Sequence, residues 1–226
     1  MTTKIRAAIV RTATSNSFFG KLSKKLDDRV ILYVYKHVRE PLYYVLAYTP
    51  RPVSSETISE NLRNDYSRIT KITKHVEARE THILAIKERC EFYELVESYG
   101  VILSVPYVIQ RGQRIYCIYG ELGSMDKYID NLVAAYGKNN VAVRITDFTT
   151  CIDYQIKNIV SSYVMSFLTD KEKQILIKAF ESGYISSRRR VKLGELADYL
   201  NIAKPTASLM LRRAIEKVIK RIVEAE

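Results

Sequence analysis

The chain has no tryptophan and only three cysteines, three histidines, five prolines and eight glycines in 226 residues. The cysteines, Cys90, Cys117 and Cys151, are odd in number and widely spaced. That argues against a disulfide framework or a zinc knuckle and fits a reducing cytoplasm. No N-terminal stretch combines basic residues, an apolar run and a cleavage site. The longest run without a charge, Ser98–Gln110, falls well short of a membrane span. His37, His75 and His82 stand at no helical metal-ligand spacing with another ligand, and nucleophile elbows, P-loops and zinc-protease motifs are absent. Gly120 with Gly123 is the nearest approach to a glycine-rich loop, and a strand-to-helix turn accounts for it. These absences lead us to expect a soluble cytoplasmic protein that is not an enzyme, with no catalytic residues, no metal, no cofactor and no membrane partner.

What is present is charge of one sign. Lysine and arginine total 36 against 25 acidic residues, a formal net charge of +11. Such a balance favours polyanionic partners. The excess is uneven: residues 169–226 hold 13 basic and 8 acidic residues, and residues 1–168 hold 23 and 17. A quarter of the chain thus carries nearly half the excess. With 47% hydrophobic and 27% charged residues the composition is globular, and the length suggests two or three domains.

Strand patterns cover Lys4–Arg11, Arg29–Val38, Pro41–Tyr48 and Ile72–Ala78, with helices at Ser15–Leu26 and Ser54–Ile69 between them. The order then repeats. Thr81–Lys87 reads as a strand and Glu91–Tyr99 as a helix stopped by Gly100. Val101–Ile109 and Arg114–Gly120 read as strands around the turn Arg111-Gly112-Gln113. Ser124–Tyr136 reads as a helix ending at Gly137, and Val141–Phe148 as a closing strand. Each half therefore has β-α-β-β-α-β order. The expected fold class is α+β, with two tandem ferredoxin-like units at 1–78 and 79–149, a connecting helix at 150–168 and an all-α domain at 169–226. In topology alone the first part resembles ACT-like regulatory modules, which does not identify a ligand. Along the connecting helix, Ile152, Ile156, Ile159 or Val160, Tyr163 and Phe167 form a one-sided stripe. That stripe suits either packing on a neighbouring domain or pairing with its copy in a dimer. Tyr33, Tyr35, Tyr43, Tyr44 and Tyr48 crowd the first half, and Tyr107, Tyr116 and Tyr119 the second. Sheet packing explains such tyrosines, and a pocket or an inter-subunit face is the alternative.

The last quarter is the most informative. Thr169 with Glu172 forms a capping box. Ile175, Leu176 and Phe180 follow as an inward face, and Gly183 ends the helix. A loop, Tyr184–Arg190, ends in Arg188-Arg189-Arg190. A second helix, Lys192–Leu200, is followed by the tight turn Asn201-Ile202-Ala203. A third starts at Lys204-Pro205, where proline suits the first turn, and carries Ala207, Leu211, Ala214 and Val218 inward. This is the pattern of a helix-turn-helix whose last helix enters the major groove by its N-terminal end. The outward residues there are Lys204, Thr206, Ser208, Leu209, Arg212 and Arg213, all able to meet phosphates or base edges. Arg188, Arg189, Arg190 and Lys192 stand beside them, either as phosphate clamps or as a solvated loop. One of Arg212 and Arg213 is placed to pair with Glu216.

The matching residues Leu168-Thr169 with Glu172, Ala179-Phe180-Glu181-Ser182-Gly183-Tyr184, Arg189-Arg190-Val191, Leu193-Gly194-Glu195-Leu196-Ala197 and Leu211-Arg212-Arg213-Ala214 resemble the helix-turn-helix of the archaeal bacterio-opsin-activator type. The segment is more distantly similar to the DNA-binding end of sigma factors. The resemblance implies an archaeal transcription regulator that binds double-stranded DNA. Two departures stand out: Ala203 where the family often has a serine N-cap, and the apolar pair Leu209-Met210 where polar residues are usual. The expected partners are double-stranded DNA, a second copy of the chain, and either a small-molecule effector or the basal transcription machinery.

Overall fold

The computed structural model describes residues 5–14, 17–37, 40–63, 68–77, 80–186, 188 and 190–223. The chain divides into two compact units, residues 1–160 and residues 161–226.

In the first unit, alternation of apolar residues sets the strands: β1 (Ile5–Ala13), β2 (Arg29–Lys36), β3 (Leu42–Thr49), β4 (Ile69–Glu77), β5 (Glu80–Glu88), β6 (Ile102–Leu103), β7 (Tyr107–Gln110), β8 (Gln113–Glu121) and β9 (Val141–Thr146). Among the described residues these nine strands form one sheet in the order β4-β5-β3-β2-β7-β8-β1-β9, with β6 paired to β8. Both repeats contribute to it, and their first strands are exchanged. β5 lies between β4 and β3, and β1 between β9 and β8. The order is the same read from either end once β1, β2, β3 and β4 are matched with β5, β7, β8 and β9. The two halves meet at the β2–β7 seam, where Val30 faces Ile109 and Leu32 faces Tyr107. Residues 78 and 79 lie outside the described set, and β4 and β5 pair antiparallel on either side of them.

Helices α1 (Phe18–Leu26), α2 (Ser55–Arg63), α3 (Glu91–Ser98) and α4 (Leu122–Tyr136) cover one face of this sheet. Phe18, Leu22, Phe92, Met125, Tyr128 and Leu132 bury there against Val30, Leu32, Ile83, Ile109 and Ile118. Helix α5 (Phe148–Met165) supplies Cys151, Ile152 and Tyr154 to a smaller cluster with Ala7, Ile9, Cys117 and Tyr119 on the opposite face of β1 and β8. On the non-helical face of the other half Tyr35, Leu46 and Leu84 are exposed. Across it Tyr33 pairs with Leu46, which pairs with Leu84, and Tyr35 pairs with Tyr44, which pairs with Ile86.

Several elements differ from the sequence reading. The strand expected over Val101–Ile109 is broken, because Pro106 cannot donate to a ladder. Helix α2 covers Ser55–Arg63, residues 64–67 lie outside the described set, and Ile69 opens β4 instead of ending a helix. Helix α4 starts at Leu122, ahead of Ser124, with no side-chain cap on Glu121. At the β7–β8 turn Arg111 and Gly112 have φ of 49° and 74°, the two positive angles that a two-residue hairpin requires. The stripe expected along the connecting helix does not act as one face. Ile152 packs on the sheet, Ile156 and Val160 are exposed, and Tyr163 and Phe167 belong to the second unit.

The second unit holds α6 (Asp170–Glu181), α7 (Leu193–Tyr199) and α8 (Lys204–Val223). Its core is Ile175, Ala179, Leu196, Ala197, Ala207 and Leu211. The three alanines let the helices approach closely, one from each helix. Arg221 lies over the rings of Tyr163 and Phe167, 4.3 and 3.9 Å from their centroids. Among the described residues no helix is long and apolar enough to cross a membrane.

Candidate DNA interface

The start of α6 is fixed by its own sequence. The Thr169 hydroxyl accepts from the Glu172 backbone N–H at 3.3 Å, and the Glu172 carboxylate accepts from the Thr169 N–H at 2.8 Å. Glu172 is buried and also takes two hydrogen bonds from Lys217 of α8, at 2.7 and 2.8 Å. The 45-residue separation of these two side chains hides this tie between α6 and α8 from any local sequence pattern. Burial pushes the Glu172 carboxyl up, but the Lys217 ammonium and the Thr169 N–H outweigh it and hold the group below its ordinary value. A depressed folded value means that the contribution is present at neutral pH and is lost as pH falls through that value. Glu172→Gln is expected to cost about 1–2 kcal/mol at pH 7, discounted because Lys217 is partly solvated. Opening free energies of α6 and α8 amides from hydrogen exchange should show this deficit at pH 7. The deficit should close in acid.

Helix α7 ends because Asn201 takes a left-handed conformation, with φ of 57°. The Ile202 N–H then returns to the Ala197 carbonyl at 3.1 Å, which closes the turn. Ile202 packs against the core from outside. Helix α8 begins with the Ala207 N–H donating to the Ala203 carbonyl at 2.9 Å. Ala203 offers no side-chain oxygen to the free N–H groups of this turn, and such a cap is weaker than serine by about 1 kcal/mol.

On the outer surface of α8, Lys204, Thr206, Arg212 and Arg213 are exposed, and Leu209 is 49% exposed. Ser208 is half-buried and lines a cleft with Tyr184, Ser186, Leu211 and Arg212. Met210 is not outward: it packs against the core beside Ala207 and Leu211, so the apolar exception reduces to Leu209. Among the described residues neither Arg212 nor Arg213 forms an ion pair, and the expected contact with Glu216 is not made. Both guanidinium groups are therefore available to an anion. Lys192 is exposed at the start of α7, where its backbone N–H donates to Glu195 at 3.3 Å. Arg188 and Arg190 are exposed, and the Arg190 N–H donates to the Gly183 carbonyl at 3.1 Å. Arg189 lies outside the described residues. Lys178 of α6 sits 4.8 Å from the Tyr199 ring of α7, a contact that the sequence pattern does not show.

The arrangement is a short helix, a tight turn and a longer helix whose N-terminal half shows cations and hydroxyls outward. Helix N-termini favour anions, and the spacing suits contacts to phosphate and base edges in a major groove. Residues 168–220 match the family described as an HTH DNA binding domain, of the bacterio-opsin-activator type. This segment is a helix-turn-helix DNA-binding domain. A structural search pairs the chain with full-length DUF199/WhiA from Thermatoga maritima at 10% identity, covering 90% of this chain and 91% of that one, with a TM-score of 0.21. Similarity at that level supports no structural argument. No curated protein matches the chain.

Proposed function

We propose that this protein is a sequence-specific transcription regulator. Helix α8 reads the major groove, and the α+β unit, two ferredoxin-like repeats with exchanged first strands, senses a small ligand or a partner. The observation that carries the DNA-reading part is the exposed row Lys204, Thr206, Leu209, Arg212 and Arg213 on the N-terminal half of α8. Arg188, Arg190 and Lys192 add phosphate contacts beside it, and no catalysis is involved. Exposed Ile156 and Val160 on α5 support a homodimer. Selection of bound duplexes from a random pool tests this reading. One enriched motif is the expected result, palindromic if the chain is dimeric, and an unenriched pool would contradict it.

A second reading, an adaptor that docks the basal transcription machinery, is favoured by the tyrosine-bearing sheet face. Tyr35 there is 58% exposed, with Leu46 and Leu84 exposed alongside. Contiguous exposed apolar patches commonly mark interaction sites. Crosslinking from that face distinguishes the two: a polymerase-associated protein favours docking, and a low-molecular-weight compound that stabilises the native unit favours sensing.

A further inference from the structure

The first unit buries two cations on the helical side of its sheet. Arg114 of β8 is 6% exposed and Lys87 of β5 is 5% exposed. Arg114 forms no ion pair among the described residues. Its guanidinium lies 3.7 Å from the Phe92 ring centroid, one amino group reaches Thr12 at 3.5 Å, and its Nε has no hydrogen-bond partner. A buried guanidinium is costly without a negative charge near it. The surrounding tyrosines do not supply one. Tyr93 and Tyr107 share a hydrogen bond at 2.9 Å, Tyr116 and Tyr128 another at 2.8 Å, and burial pushes all four hydroxyls up, so they stay neutral.

Cys90 supplies it. This residue precedes the first turn of α3, is partly exposed, and receives a hydrogen bond from Lys87 Nζ to Sγ at 3.3 Å. The other groups that interact electrostatically with it are Tyr43 from β3, Tyr107 from β7, Arg114 from β8, Tyr136 from α4 and Tyr93 of its own helix, whose first turn also carries the exposed Glu91 and Glu94. Burial pushes the Cys90 thiol up. The Lys87 ammonium, the Tyr93 backbone N–H and the Arg114 guanidinium outweigh that and hold it below its ordinary value. Cys117 and Cys151, on the opposite face of the sheet, are pushed up by burial.

We propose that Cys90 is held as a thiolate by Lys87 and Arg114 and is the site at which small hydroperoxides oxidise this protein. The thiolate sulfur attacks one peroxide oxygen, an S–O bond forms and the O–O bond breaks. Sulfur loses two electrons to the peroxide, and the leaving hydroxide (or alkoxide) takes a proton from water. Neither of the other two cysteines shares the Cys90 side of the sheet. The sulfenate therefore persists until an external thiol condenses with it.

The test is site-resolved mass spectrometry on the native full chain. Iodoacetamide labelling of Cys90 followed against pH should give a midpoint below that of an unperturbed thiol, about 8.5. Lys87→Met should raise the midpoint by about one unit and slow labelling at pH 7 several-fold, while Lys87→Arg should keep most of the wild-type behaviour. Stoichiometric hydrogen peroxide followed by dimedone should mark Cys90, leave Cys117 and Cys151 unmarked, and mark nothing in Cys90→Ser. A wild-type midpoint at or above the free-thiol value would overturn the proposal. So would a midpoint that Lys87→Met leaves in place, or dimedone only at the other cysteines.

Discussion

Replacing Arg212 and Arg213 together by alanine is expected to weaken binding to double-stranded DNA by about 100-fold near 0.1 M salt. Both side chains are exposed on α8 and neither is tied up in an ion pair among the described residues, so each can release a counterion from a phosphate. Two lost phosphate contacts should flatten the slope of log affinity against log salt by about two. Fold stability should barely change, because both side chains are exposed. Lys204→Ala should add about one further unit to the flattening. If affinity falls while the slope stays fixed, the arginines act on base edges instead; an unchanged affinity removes them from the interface.

The second large effect concerns the frame that presents α8. Leu196 of α7 has no exposed surface and packs with Ile175, Ala179, Ala207 and Leu211. Leu196→Ala truncates the largest buried side chain of α7, in a cluster of six buried hydrophobic residues among those described. A cost of about 2–5 kcal/mol follows from lost transfer energy and the cavity left behind. That is a large part of the stability of a small unit. Hydrogen exchange in the full chain should show α6, α7 and α8 amides losing protection together, with β1–β9 amides unaffected. DNA binding should fall in parallel. Unchanged protection in α8 would mean that α7 does not position it.

Much of the DNA-binding unit was legible because its signals are local. The capping box at Thr169, the inward spacing of Ala207, Leu211 and Ala214, and the turn at Asn201-Ile202 each involve residues a few positions apart. The departures were also local but depended on packing. Met210 turns inward because it sits beside Leu211 on the flank of the buried face, and sequence spacing alone does not fix the width of that face. Arg212, Arg213 and Glu216 satisfied the spacing of a helical pair without forming one, as solvated side chains gain little by pairing.

In the sheet unit the strands and helices were legible, and the pairing was not. Alternation tells which residues share a face but not which strand lies alongside. Ile9 of β1 pairs with Cys117 and Arg144, more than a hundred residues away, while the repeat pattern pointed to partners in its own half. Exchange of β1 with β5 preserves every local pattern and changes only long-range partners. The buried Lys87 and Arg114 show the converse. Each falls on the inward register of its strand, with Ile83 and Ala85 or with Tyr116 and Ile118, but charge argues for the outside when hydropathy is read alone.

Protection of guanine N7 from dimethyl sulfate on a selected duplex reports directly on whether α8 occupies the major groove. Occupied guanines should be protected by the wild-type chain, with protection lost in the Arg212→Ala, Arg213→Ala double variant at concentrations that restore occupancy. Full reactivity at guanine N7 with protection confined to adenine N3 in the minor groove would contradict major-groove reading by α8.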